Sequence, residues 1–320
     1  MGATDTNFCG YSELFIAEAT APSEKAGTYF LCSKSYHNVA CKKRWNLYSE
    51  QVLESHGFGL VDFQHLYWSD QELGEYDYQG YLPMGLNCSD RFRNSDDPVL
   101  FRLWLGSLLK GKGLEFGAGA NPFPVAMSSF TIYADRFSME SLSNSAYPGQ
   151  EVNCFVAPHV IADMSDLSAF GSNSFDYIVA SHVIEHLSDP INAIVESHRI
   201  LKKGGRLLLA VPSKDRTFDK SRPCTPLAHL VDDYERYDRA RDLSHYREWF
   251  SLVQPSNSND DKMVNEAWEC NADIHYHTWT VETFIQLMNH IKVSYAQFSH
   301  SEVFPEVNPD SIEFYACFLK

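Results

Sequence analysis

Short apolar runs recur through the middle of the chain at the spacing that alternating strands and helices produce. Four of them are predicted strands: GLEFGAG (113–119), TIYAD (131–135), NSFDYIVAS (173–181) and RLLLAVP (206–212). The continuous apolar stretch inside NSFDYIVAS is typical of a strand that is covered on both faces in a parallel sheet. The pattern indicates an α/β fold with a doubly wound, mostly parallel sheet.

Amphipathic segments between these strands are predicted helices. VLFRLWLGSLLK (99–110) and INAIVESHRILKK (191–203) each follow an Asp-Pro pair, which is a common way to cap and begin a helix. Glycine is expected to end them, at Gly111 and at Gly204. Near the end of the chain, we predict a helix over WTVETFIQLMNHI (279–291), capped by Thr280 and followed by two closing strands. These strands are KVSYAQFS (292–299) and SIEFYACFLK (311–320).

The first part of the chain is rich in aromatic residues and shows less periodicity. It contains one predicted β-α-β element, formed by TYFLCS (28–33), RWNLYSEQVLESHGF (44–58) and GLVDF (59–63). A turn-rich stretch at 82–98 resembles a linker in composition. We therefore predict an accessory α/β region over residues 1–95, which is a candidate for a substrate lid or a homodimer contact, and a main domain over residues 96–320.

Charge and cysteine content narrow the function classes. The chain has 320 residues and a formal net charge of −16, which would repel nucleic acid. Its eight cysteines are scattered without a C-x-x-C pair, so reduced thiols and a cytoplasmic location are expected. The chain has no apolar run near the roughly 18 residues that a membrane span needs. The expected partner is a small-molecule substrate.

The segment EFGAGANPFP (115–124) carries the first candidate chemistry. Gly117 and Gly119 allow the backbone to turn tightly and to approach a ligand closely. Asp135 follows Glu115 by twenty residues at the end of the next strand, where a carboxylate can accept hydrogen bonds from both ribose hydroxyls. The third glycine of a dinucleotide fingerprint is missing, so a nucleoside-containing cofactor other than NAD is favoured.

At this point the chain resembles a known family. The segments LEFGAGANP, YADR, VIADMSDLSAFGSNSFDYIVASHVIEHLSDP and RILKKGGRLLLAVP follow one another from 113 to 212. They resemble the motifs of class I S-adenosylmethionine-dependent methyltransferases. Two later segments, HLVDDY (229–234) and DIHYHTW (273–279), resemble stretches of bacterial glycan and natural-product methyltransferases. The resemblance implies a Rossmann-like, seven-stranded, mostly parallel sheet that ends in an antiparallel pair, and S-adenosylmethionine as the cofactor.

The resemblance also implies cofactor-binding residues. It places Asp135 on the ribose, Asp163 on the adenine amino group and Met164 against the adenine ring. The methionine part would lie along Glu115 and the glycine turn. The full implied set is Glu115, Gly117, Ala118, Gly119, Asn121, Asp135, Arg136, Asp163, Met164, Ser181 and His182.

The segment SHVIEHL (181–187) also fits the H-x-x-E-H pattern of a class of zinc proteases. That chemistry needs both histidines on one helical turn. Here a strand is predicted to end near Ser181 and the next helix to begin only at Asp189, so the protease interpretation is disfavoured. His182 would lie at the strand end and is a candidate for a direct catalytic role. His186 is better explained as a packing or capping residue.

A long insertion, about 213–272, follows the fifth strand on the expected substrate side. HLVDDY places His229 and Asp233 within one turn of a predicted helix, and DIHYHTW places His275 and His277 on one face of an extended segment. These residues form either a general base with an orienting carboxylate or a divalent metal site. The alternative is a solvated acidic helix beside half-buried histidines.

The sequence thus predicts an S-adenosylmethionine-dependent methyltransferase. The expected acceptor is small and hydroxylated or amino-bearing, such as a sugar or a natural product, and O-methylation is favoured. The candidate catalytic residues are His182, His229, Asp233, His275 and His277. Two alternatives stay open, a protein that binds the cofactor without catalysis and an NAD-dependent oxidoreductase.

Overall fold

The computed structural model describes residues 93–119, 121–125, 129–142, 156–254 and 261–320, together with the backbone of five strands nearer the N-terminus. The chain divides into two compact units, Met1–Ile161 and Ala162–Lys320. Among the described residues, no helix has both the length and the apolar character to cross a membrane.

Among the strands that the structure describes, those nearest the N-terminus pair with one another. Strands β1 (Glu13–Glu18), β2 (Thr28–Lys34) and β3 (Arg44–Ser49) form an antiparallel sheet in the order β1-β2-β3. Two further short strands, β4 (Tyr67–Trp68) and β5 (Tyr76–Asp77), pair antiparallel.

The strand β3 corrects the prediction of a helix over 44–58. In RWNLYS, apolar and polar residues alternate, and Trp45 and Leu47 stand opposite Cys32 and Phe30 in the register. Alternation with period two and aromatic residues favour a strand over a helix. The rest of that predicted helix and the predicted strand 59–63 lie outside the described residues.

The remainder of the first unit begins with helix α1 (Pro98–Ser107) and contains a parallel sheet of three strands. These are β6 (Lys112–Phe116), β7 (Phe130–Asp135) and β8 (Val160–Ile161), in the order β6-β7-β8. A single helical turn, α2 (Met139–Ser141), follows β7. Helix α1 begins at Pro98 as predicted.

The second unit has four strands in the order β11-β12-β10-β9. Strands β9 (Phe175–Ser181) and β10 (Leu201–Pro212) are parallel, and helix α3 (Pro190–Ile200) connects them. Strand β12 (Glu313–Leu319) runs antiparallel between β10 and β11 (His300–Phe304). With three strands in the first unit and four in the second, the predicted α/β class with seven strands and an antiparallel end is confirmed.

Helices fill the region predicted as a substrate-side insertion. They are α4 (Leu227–Glu235), α5 (Arg239–Leu252) and α6 (Asp261–Glu269), and α7 (Val281–Ser294) follows. Thr280 caps α7 as predicted, through a capping box with Thr283.

Two predicted boundaries are wrong. The helix predicted over 191–203 ends at Ile200, and Leu201 already pairs with Phe175 in the sheet; the turn at Gly204 (φ 79°) is an irregularity inside β10. The strand predicted over 292–299 does not form, because α7 continues to Ser294. Val293, which suggested a strand, is 87% exposed and contributes nothing to the core.

Candidate active site

The turn after β6 has the backbone geometry that its glycines suggested. Gly117 and Gly119 both have positive φ, 65° and 51°, a region that side chains with a Cβ rarely adopt. The amide of Gly117 donates to the carbonyl of Ala134 over 3.1 Å. The amide of Asn121 donates to the carbonyl of Ala118 over 2.9 Å. The chain thus turns at the carboxyl end of β6 without side chains that would keep a ligand away.

Glu115 supports this turn from within. Its side chain is fully buried, and Oε1 accepts a hydrogen bond of 2.7 Å from the amide of Phe123. Burial raises the pKa of Glu115 to about 8, although the Phe123 amide and the charge of Arg102 lower it. Among the described residues, Oε2 finds no hydrogen-bond partner. A polar group of a bound ligand could satisfy this buried oxygen, so the turn fits a cofactor.

Asp135 ends β7 beside this turn, because Phe116 and Ala134 are neighbours in the parallel register. Its side chain is 8% exposed, and Oδ1 accepts a hydrogen bond of 2.8 Å from the amide of Phe137. The carboxylate is therefore fixed in one orientation. The guanidinium of Arg136 lies over the ring of Phe137, 4.7 Å from its centre.

The other residues that the resemblance assigned to the cofactor lie in the second unit. Asp163 Oδ1 accepts a hydrogen bond of 2.8 Å from the amide of Ser165, and the Met164 side chain is buried. Ser181 is the last residue of β9. Their cofactor contacts stay predictions.

His182 follows β9 in a conformation that is uncommon for a residue with a side chain, with φ 54°. Its amide donates to the carbonyl of Ala210 over 3.0 Å. Its ring, 34% exposed, places Nε2 2.7 Å from Glu313 Oε2. The hydroxyl of Tyr315 also donates to Glu313. An unusual φ held by surrounding contacts often marks a functional position.

Sequence reasoning missed Glu313. It lies 131 residues from His182 along the chain and reaches it only because β12 pairs with β10. No local pattern could have shown this pairing, since it depends on the register of Glu313 opposite Pro212.

The turn that follows His182 does not form the helix that a zinc protease would need. Residues Ile184–His186 make one 3-10 turn, and α3 begins at Pro190 with Asp189 accepting from the Asn192 amide. His186 Nδ1 lies 2.7 Å from Asp273 Oδ1. No group of potential metal ligands within the described residues contains both His182 and His186.

Three of the predicted catalytic residues come together, two from the insertion and one from the segment that follows it. His229 and Asp233 from α4 meet His277 and a residue that was not predicted, His245 from α5. His229 Nε2 lies 3.0 Å from Asp233 Oδ2 and 3.2 Å from His245 Nε2. We call these four residues the His229 cluster.

The fourth ligand-type residue, His245, could have been found from helix periodicity. In α5, Asp242, Tyr246, Trp249 and Phe250 are buried at intervals of three and four residues, and His245 falls on the same stripe. A histidine on a buried helical face needs a polar partner. This signal would have suggested that His245 faces other polar groups.

His275 does not join this cluster, although His275 and His277 were predicted to share one face. His275 Nδ1 lies 2.6 Å from Asp219 Oδ2, and its ring packs on His186. The described bridge of this segment is a single parallel one, from Trp279 to Ser213, and it lies beyond the two histidines. The amides of Tyr276 and His277 both donate to the carbonyl of Glu185, at 2.7 and 3.3 Å, so the backbone turns between the two histidines.

His275, His186 and Glu185 therefore form a second group. The Glu185 side chain is fully buried, and neither carboxylate oxygen has a hydrogen-bond partner among the described residues. His182 Nδ1 and His186 Nε2 each lie 3.8 Å from Oε1.

Within the His229 cluster, the imidazoles have different electrostatic surroundings. The hydrogen bond with Asp233 raises the pKa of His229. Burial, with the nearby His229, lowers the pKa of His245, and burial lowers that of His277 well below its ordinary range. Near neutral pH, His245 and His277 are therefore neutral and keep a nitrogen lone pair each.

Comparison with known proteins gives a family for the middle of the chain. Residues 114–209 match a family model described as a methyltransferase domain. An uncharacterized protein of Methanocaldococcus jannaschii is 30% identical over 111 residues, which are 35% of this chain and 49% of that protein. The uncharacterized protein YafE of Escherichia coli is 28% identical over 102 residues, which are 30% of this chain and 44% of YafE. The chain thus spans about half the length of these curated relatives.

Two solved structures are also similar. A SAM-dependent methyltransferase from Thermotoga maritima has 16% identity and a TM-score of 0.37, over 72% of this chain and 91% of that one. Another SAM-dependent methyltransferase, from Methanosarcina mazei, has 16% identity and a TM-score of 0.33, over 70% of this chain and 95% of that one. The segment matched by the family model contains the glycine turn, Asp135 and His182. The similarity to a methyltransferase domain therefore applies to residues 114–209 of the chain.

Proposed function

We propose that the protein transfers the methyl group of S-adenosylmethionine to a small hydroxylated or amino-bearing acceptor, with O-methylation favoured. The observation that carries this proposal is the position of the glycine turn and Asp135 inside the matched segment 114–209. A sugar or a natural product is the preferred acceptor class. A cytoplasmic location, assembly as a homodimer and the boundary near residue 95 belong to the same set of predictions.

The first unit would hold the cofactor. The Asp135 carboxylate is fixed by the Phe137 amide and can accept hydrogen bonds from the two ribose hydroxyls. Gly117 and Gly119 let the backbone approach the methionine part, and Glu115 Oε2 can pair with a polar group there. Bound S-adenosylmethionine supplies an activated methyl group on a sulfonium, so the protein mainly has to align and desolvate the acceptor.

His182 would be the general base. Its Nε2–H can donate to Glu313 Oε2 over 2.7 Å, and in this tautomer Nδ1 is the ring nitrogen that would take the proton of an acceptor hydroxyl. The buried Glu185 carboxylate, 3.8 Å from Nδ1, stabilises the imidazolium that results. A hydroxyl is a weak nucleophile until it loses its proton, so this pair favours O-methylation.

The test is release of S-adenosylhomocysteine by the purified full chain, incubated with S-adenosylmethionine and pools of small hydroxylated or amino compounds. Calorimetric titration with S-adenosylmethionine and, separately, with NAD accompanies it. We expect binding of the first, none of the second, and turnover with a hydroxylated pool. Binding of NAD alone would support the oxidoreductase alternative. S-adenosylmethionine binding without turnover in any pool would support a non-catalytic binding protein.

A further inference from the structure

The His229 cluster brings three imidazoles and one carboxylate to one point in the second unit. His229, Asp233, His245 and His277 each offer one ligand atom, and all four atoms lie within 4.8 Å of one another. We propose that this cluster binds one divalent transition-metal ion of the zinc type. The proposal does not depend on the function proposed above.

The distances suit such an ion. A tetrahedral zinc with bonds of about 2.0–2.1 Å to nitrogen or oxygen has neighbouring ligand atoms about 3.3 Å apart. His229 Nε2 already lies 3.0 Å from Asp233 Oδ2 and 3.2 Å from His245 Nε2. The ring of His277 is centred 5.0 Å from that of His245 and 5.9 Å from that of His229. Only small side-chain movements would complete the coordination.

His277 gives an independent indication of a ligand. Its side chain is fully buried, and Nδ1 has no hydrogen-bond partner among the residues that the structure describes. Its other nitrogen, Nε2, lies 3.1 Å from the carbonyl of Ser188 and donates its proton there. Nδ1 therefore carries a lone pair that no described polar group satisfies, which is costly at a buried position. Metal coordination would satisfy it.

The outer contacts of the cluster resemble those of metal-binding histidines. Such histidines usually donate the second ring N–H to a carbonyl or a carboxylate, which fixes the tautomer and the ring orientation. His245 Nδ1 lies 3.0 Å from the carbonyl of Tyr276, and His277 Nε2 lies 3.1 Å from that of Ser188. On the opposite side, Asp233 Oδ1 lies 3.3 Å from Arg241, which leaves Oδ2 facing His229.

A network of hydrogen bonds without metal explains the cluster less well. His229 Nε2 carries at most one proton, so it can donate to Asp233 or to His245, and not fully to both. In either arrangement, His277 Nδ1 still lacks a hydrogen-bond partner among the described residues. One cation satisfies all four groups together. Three imidazoles with one carboxylate suit zinc and neighbouring transition metals, whereas magnesium and calcium prefer oxygen ligands.

The protein supplies all four ligands, so the ion would have a structural role. It would join α4, α5 and the segment before α7, which are separate in the sequence. His229 is the least buried of the four, with 34% of its side chain exposed, and provides the route of entry.

The experiment uses the full chain without a polyhistidine tag, stripped with a chelator and titrated with Co²⁺ as a spectroscopic probe. We expect one equivalent to bind, with the intense visible absorption of tetrahedral cobalt, and Zn²⁺ to displace it. Chelation should also lower the melting temperature. If the stripped, folded protein binds neither ion at micromolar concentrations, the proposal is overturned.

Asp233→Asn and Asp232→Asn form a matched pair on the same helix. Asp232 is partly exposed and is not one of the four cluster residues; it pairs with Arg236 and with Arg241, which also contacts Asp233 Oδ1. Asp233→Asn should weaken Co²⁺ binding at least tenfold, and Asp232→Asn should leave it unchanged. Equal affinities in the two variants would overturn the assignment. If Asp233→Asn does not fold, His229→Asn at the most exposed ligand takes its place.

A second control addresses the neighbouring group. His275→Ala removes a potential ligand of the Glu185 group and should keep the cobalt spectrum, as should His300→Ala at an exposed histidine of β11. Loss of the spectrum in His275→Ala, with Asp233→Asn unaffected, would move the metal to the Glu185 group and contradict the proposal.

Discussion

The glycine turn of the first unit and the His229 cluster of the second differ in how their residues are brought together. Glu115 and Asp135 are twenty residues apart and lie near the carboxyl ends of two adjacent parallel strands. His229, His245 and His277 come from two helices and an irregular segment. The first arrangement follows from local sequence, and the second depends on tertiary packing. Variants can show whether the two regions also differ in what they do.

The largest effect is expected at His182, which follows β9 in the second unit. His182→Ala removes the proposed base and should lower kcat about 10²–10⁴-fold. Affinity for S-adenosylmethionine, measured by calorimetry, should stay the same. Glu313→Gln should have a smaller effect of the same kind, with Glu302→Gln on β11 as the control. A loss of cofactor affinity that accounts for the whole effect would assign His182 to binding.

A substitution at Gly106 tests how much the packing of α1 against the backbone after the glycine turn contributes to stability. A Cβ at this position of α1 would stand 2.1 Å from the carbonyl oxygen of Pro124, which follows the turn. Gly106→Ala should therefore destabilise the protein by roughly 1–3 kcal/mol, measured by urea unfolding. At Gly171 the nearest obstacle is the Ser174 hydroxyl at 3.2 Å, and Gly171→Ala should change stability much less. Equal effects would mean that the backbone at Pro124 moves away at little cost.

Asp135 tests the cofactor assignment of the first unit. Asp135→Ala should weaken S-adenosylmethionine binding by about 1–3 kcal/mol, because hydrogen bonds to a charged group are lost. Calorimetric titration measures the change, and Asp166→Ala, at an exposed carboxylate, is the control. Unchanged affinity in Asp135→Ala would contradict the ribose assignment.

Glu115 predicts an effect on stability that depends on pH and is small only near the acidic end of the range. Because the pKa of Glu115 rises from 4.5 unfolded to about 8 folded, the folded state binds more protons and loses stability as pH increases between these values. Glu115→Gln removes this dependence and keeps an oxygen for the Phe123 amide. The stability of the variant relative to the natural protein should increase by about 1.4 kcal/mol per pH unit in that range. A difference that does not change with pH would show that Glu115 titrates normally.

Local sequence patterns were sufficient to predict the main strands of the sheet, the cap of α7 and the glycine turn. Strand β9 was visible as an apolar run, and Thr280 as a cap, because burial and capping act over a few residues. The end of α3 was misplaced, since pairing of Leu201 with Phe175 outweighs the helical propensity of the lysines that follow.

The candidate site was predicted only in part for the same physical reason. His229 and Asp233 are one helical turn apart, so their proximity is a local property. The contact of His182 with Glu313 requires the antiparallel register of β12, and the separation of His275 from His277 requires two amides bonded to Glu185. Distant pairing of this kind leaves no periodic signal in a single sequence.

The carbonyl of Glu185 accepts both the Tyr276 and the His277 amides, while the Glu185 side chain lies beside His182 and His186. These main-chain hydrogen bonds hold residues 276–277 against the turn after β9. Truncation of a side chain in the Glu185 group or in the His229 cluster leaves the two main-chain bonds intact. Single substitutions in the two groups should then combine additively. A proline at 276 or 277, which lacks the amide, should instead disable both groups in one step.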